Sequence, residues 1–118
     1  MKLAHVQMQL RRLPGSGVNL TTAWALFEAK EAKIQEVVQS EWGKTHPAED
    51  AKLLFTAAIY GSAPPANAGA FVTAFAAEQG SIRTHDSAAR PELLAALKDS
   101  RDPEATLQYM VNQDEERK

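Results

Sequence analysis

The sequence predicts a mainly α-helical protein: a compact bundle of about five helices preceded by an N-terminal arm. Three observations carry that prediction. Residues 51–60 hold only Lys52 and Thr56 as polar positions, and residues 68–77 hold only Thr73. A helix that is apolar on nearly every side belongs in the interior of a water-soluble chain. Glycine and proline also stand where helices stop and start, with Gly43, Gly61 and Gly80 as stops and Pro47, Pro91 and Pro103 as starts. Finally, Glu28-Ala29-Lys30-Glu31-Ala32-Lys33 is an uninterrupted run of strong helix formers.

The bulk properties narrow the class further. A chain of 118 residues suits one domain with one core. Its 44% hydrophobic and 24% charged content is that of a globular protein. A net charge of −2 and a pI near 5.9 give no general attraction to nucleic acid or anionic lipid. The absence of cysteine excludes disulfides, thiolate nucleophiles and cysteine-held zinc or iron–sulfur sites, and it fits a reducing compartment. Residues 1–10 lack the apolar run of a signal peptide, and no run is long enough to span a membrane. The expectation is a soluble, cytoplasmic protein with no membrane partner.

The arm, residues 1–13, carries two periods at once. Ala4, Val6, Met8 and Leu10 alternate with His5, Gln7, Gln9 and Arg11, as in a strand with one buried face. Leu3, Val6, Leu10 and Leu13 fall at helical spacing. The unbroken alternation puts a single β-strand ahead of a helix. Nothing later is an equally good strand, so its partner would be a second copy of itself. Pro14-Gly15-Ser16-Gly17 then breaks regular structure.

The helical core is expected over residues 20–111. Residues 21–42 read as the longest helix, with caps available in Asn19, Thr21 and Thr22 and a stop at Gly43. Trp24, Phe27, Ile34, Val38 and Trp42 share a slowly drifting face, interrupted by Glu31, with apolar ends and a polar waist. Each tryptophan reads first as core and second as a partner anchor. Pro47 with Glu49 and Asp50 opens the next helix, to about Tyr60. Residues 66–79 follow, small-sided and closed by Gly80; residues 81–87 read as a polar connection. Short helices begin at Pro91, with Leu93, Leu94 and Leu97, and at Asp102-Pro103, with Leu107, Met110 and Val111. Residues 112–118 form a charged, frayed tail.

No arrangement of reactive side chains points to catalysis. Gly43-Lys44-Thr45 matches the end of a phosphate-binding loop, but the required first glycine is Val38 and no strand precedes it. His46 with Glu49, and His85 with Asp86, stand near one another but without the further ligands of a metal motif. Ser62 and Ser81 lie in no nucleophile motif. The expectation is a non-enzymatic protein with no cofactor and no metal.

An alternating strand followed by two helices resembles the ribbon-helix-helix DNA-binding family, over residues 2–60. The resemblance implies a two-subunit β-ribbon in the major groove, with His5, Gln7, Gln9 and Arg11 facing base edges; glutamine and arginine suit adenine and guanine. The connection 13–20 and the helix to Trp42 are longer than that fold uses, and the acidic balance lacks a phosphate-binding surface. DNA binding is therefore the alternative. The leading reading is a protein-binding module (an adaptor, assembly factor or inhibitor), homodimeric through its arm. Its contacts would be Val6, Met8 and Leu10 with Trp24, Phe27, Ile34, Val38 and Trp42.

Overall fold

The structure, a computed structural model, describes residues 4–89. The helices expected from Pro91 and Asp102 and the tail 112–118 lie outside those residues. Among the described residues there are five α-helices: α1 (Ala4–Arg12), α2 (Thr21–Glu28), α3 (Lys30–Val38), α4 (Ala51–Ile59) and α5 (Ala70–Ala89). Two 3-10 turns, Trp42–Thr45 and Ala48–Asp50, join α3 to α4. There is no strand among the described residues.

The N-terminal arm is thus a helix and not the expected strand. Val6, Gln9, Leu10 and Leu13 are all buried, at intervals of three, one and three residues, which is the helical period. A lone strand would leave its backbone N–H and C=O groups unpaired, whereas a helix satisfies them internally. Arg11 and Arg12 in the last turn complement the negative end of the dipole. Gly15 and Gly17, at φ 84° and 88°, then turn the chain through the left-handed region.

The long helix expected over residues 21–42 is two helices. Ala29, at φ −137° and ψ 46°, separates α2 from α3. Beyond α3, Ser40 Oγ donates to Val37 O at 2.5 Å, and the Trp42 N–H donates to Asn67 O at 3.1 Å. Trp42 is buried and stacks on His46, with ring centres 4.1 Å apart.

The pairing of α4 with α5 is the expected centre of the bundle. Phe55 meets Phe75 edge-on at 5.4 Å and Phe71 at 6.1 Å, and both Phe55 and Phe75 are fully buried. Around them pack Leu26, Ile34, Val37, Ile59 and Val72. Burying one such side chain contributes roughly 1.5–3 kcal/mol. Gly80, however, does not end the helix. It lies inside α5, and residues 81–87, expected as a connection, are its helical continuation. The reason lies in what they meet: Gln79, Ile82, Asp86 and Ser87 are buried, which outweighs the roughly 1 kcal/mol that a mid-helix glycine costs.

Candidate protein-binding face

Helix α5 changes character along its length, and that change positions the face. Its inward residues run Val72, Phe75, Gln79, Ile82 and Asp86, apolar first and then mixed. The polar ones hold the N-terminal helices. Gln9 and Gln79 exchange two amide hydrogen bonds, Gln9 Nε2 to Gln79 Oε1 at 2.7 Å and Gln79 Nε2 to Gln9 Oε1 at 3.0 Å. Arg12 grips Asp86 with both guanidinium ends, at 2.6 and 3.1 Å. Glu78 accepts the N–H groups of Thr22 at 3.0 Å and Ala23 at 2.8 Å. Asn19 Oδ1 accepts the first N–H of α2, that of Thr21, at 3.0 Å, and Glu78 supplies from another helix the acceptors for the next two, Leu20 at the N-cap having none to offer. Leaving such buried groups unpaired would cost about 1–3 kcal/mol each.

Held this way, α1 and α2 leave a groove between them. Gln7, Met8, Leu10 and Arg11 line one side and Trp24 and Phe27 the other, around a volume of about 310 Å³. Trp24 is 45% exposed and Phe27 39%. Their rings meet edge to face, 6.1 Å between centres and 85° between planes. Arg11 is exposed at the rim, and no acidic side chain is among the described residues that line the groove. Leu53 and Tyr60 are the other exposed large apolar residues described, at 60% and 38%.

The expected contact residues divide between interior and surface. Val6, Ile34 and Trp42 are core, and Val38 packs half-buried against it. Met8 and Leu10 are buried and form the groove floor, while Trp24 and Phe27 form its wall. Trp42 follows the core reading of the tryptophans; Trp24 does not. The residues assigned to a DNA-reading ribbon do not share one outward edge. Gln7 and Arg11 are exposed, Gln9 is fully buried, and His5 is half-buried against Tyr60, with Nε2 3.2 Å from the phenol oxygen. With α1 a helix, the ribbon on which that resemblance stands is not formed.

The other sequence features are locally engaged. Lys44 Nζ reaches Glu41 Oε1 at 2.7 Å, and Thr45 Oγ1 donates to Trp42 O at 3.1 Å. His46 Nδ1 lies 2.8 Å from Trp42 O. Among the described residues no group of three His, Asp or Glu is placed to hold a metal. No helix among them is long and apolar enough to cross a membrane. A second hollow of about 410 Å³ lies beside residues 61–66, walled by small side chains, with Arg83 donating to Ala58 O at 3.1 Å.

Sequence reasoning missed Arg12, Glu78, Gln79 and Asp86 as organising residues. The available signal was the seven-residue spacing from Val72 to Gln79 to Asp86, with Phe75 and Ile82 between them on the same seam. Compared with known proteins, the chain matches no family model, no curated protein and no solved structure.

Proposed function

We propose that this chain is a non-enzymatic module that binds another protein through the groove between α1 and α2. The observation that supports it is the Trp24–Phe27 pair, two large rings left at the surface over an apolar floor of Met8 and Leu10. Tryptophan and arginine dominate the energetics of protein interfaces, and both line this groove. The partner is an amphipathic helical segment, with an apolar anchor for the floor and an acidic flank for Arg11. The charge of that flank follows from the rim, where Arg11 is exposed and the described lining holds no carboxylate.

The test uses a short amphipathic peptide with a leucine–phenylalanine face flanked by glutamates, and a twin with lysines in their place. Binding is followed by NMR shifts of the Trp24 indole and the Met8 methyl group. The glutamate peptide should shift these signals and bind more tightly than its lysine twin. Trp24→Ala should weaken it by about thirtyfold, the ~2 kcal/mol of a central anchor. An affinity unchanged by Trp24→Ala, followed at the Met8 methyl group, or no shift with either peptide, would overturn the reading.

A further inference from the structure

The break between α2 and α3 falls where the chain has least local reason to break. Ala29 lies in Glu28-Ala29-Lys30-Glu31-Ala32-Lys33, a run without glycine, proline or a β-branched residue. Alanine, glutamate and lysine are among the best helix formers. No side chain caps either helix at the junction. The helical ladder reaches Ala29 from both directions: its N–H donates to Ala25 O and its carbonyl accepts from Lys33 N–H, each at 3.0 Å. One residue's backbone rotation separates two helices that would otherwise run together from 21 to 38.

The polar contacts that seat α1 and α2 are made across that hinge. Gln9 meets Gln79, Arg12 meets Asp86, and Glu78 caps α2, each bridging more than fifty positions of sequence. Contacts made across one hinge can be made equally well to a second copy. We infer that the chain exchanges its α1–α2 unit between two copies. Ala29 becomes helical, α2 and α3 merge into one rod, and each α1–α2 unit takes its seat on α5 of the other copy. The seat is the same in both forms, so the balance rests on the hinge. The exchanged form regains the helical bonding that the break forgoes, and the closed form keeps the entropy of two free particles, so exchange grows with concentration. The inference does not rest on the peptide-binding reading. Because α1 and α2 travel together, their groove is carried intact into the dimer.

The native chain has no cysteine, so single cysteines can report the seat without interference. Gln9→Cys and Gln79→Cys chains are unfolded together, refolded at high concentration and oxidised. Exchange predicts a disulfide between the two chains, at twice 12.9 kDa. Lys30→Pro is the control. Proline suits the first position of α3, where Lys30 stands, and Ala29 before it, at φ −137° and ψ 46°, lies outside the α region that a following proline disfavours; in a continuous helix the same proline would be a break. It should lower the mixed disulfide at least about a hundredfold with the circular dichroism spectrum unchanged. No mixed disulfide, or one that persists with Lys30→Pro, would overturn exchange. Should a cysteine chain fail to fold, light scattering on the unaltered chain decides. A mass climbing towards the dimer with concentration, and fixed at the monomer by Lys30→Pro, supports exchange; a monomer throughout sinks it.

Discussion

Gly43 shows how one missing side chain can set the path of a bundle. A Cβ there would stand 2.5 Å from Val37 O and closer still to Val38 O, both backbone atoms at the end of α3. No rotamer change relieves such a contact. The turn at Trp42 folds back against α3 this tightly because position 43 is bare, and that return places the Trp42 ring in the core. Gly43→Ala should therefore lower stability by about 1–3 kcal/mol, as overpacking does elsewhere. Thermal melting gives the measure. An unchanged midpoint would mean that the turn yields where the geometry says it cannot. Gly80 contrasts with it. Among the described residues, a Cβ there would meet only Arg83 Nη2, at an ordinary 3.5 Å.

At the scale of the element, that contrast becomes a second prediction. Gly80 interrupts the longest described helix without ending it. Gly80→Ala should raise stability by roughly 0.5–1 kcal/mol through helix propensity alone. A melting point that falls would show that the glycine serves some closer approach. Much of the element order was legible in the chain. The buried run 51–60, the turn after it and the two phenylalanines one turn apart required only periodicity and punctuation. Three features were not legible, for one shared physical reason: each is decided by a distant partner. Residues 4–12 carry two periods of nearly equal strength, and the helical one wins through Gln9, whose amide meets Gln79 seventy residues later. Helix α5 outruns Gly80 because Asp86 meets Arg12. Ala29 breaks a good local helix where α2 must reach the carboxylate of Glu78. The groove was half-visible: Trp24 and Phe27 were singled out, but only the packed helices show which aromatic ring faces outward.

At the scale of the whole molecule, the described ion pair that spans most of the sequence is also the most buried of those described. Asp86 is 2% exposed and Arg12 12% at their side chains. Removing one member leaves the other charge in the interior, which costs about 3–5 kcal/mol, while removing both is far milder. Arg12→Ala should thus be severely destabilising, and adding Asp86→Ala should restore part of the loss. Urea unfolding of the four forms in a double-mutant cycle measures this. Additive losses would contradict a direct pair. The same long reach bears on how the chain is made. A ribosome delivers residues from the N-terminus onwards, about 5–20 each second. Helix α1 is therefore the first described element to emerge, yet its polar seat lies on the last, at Gln79 and Asp86. For most of synthesis α1 has α2 to rest on, but not the α5 seat that its polar residues meet. The polar seating of α1 is thus completed late, when Gln79 and Asp86 arrive to meet Gln9 and Arg12.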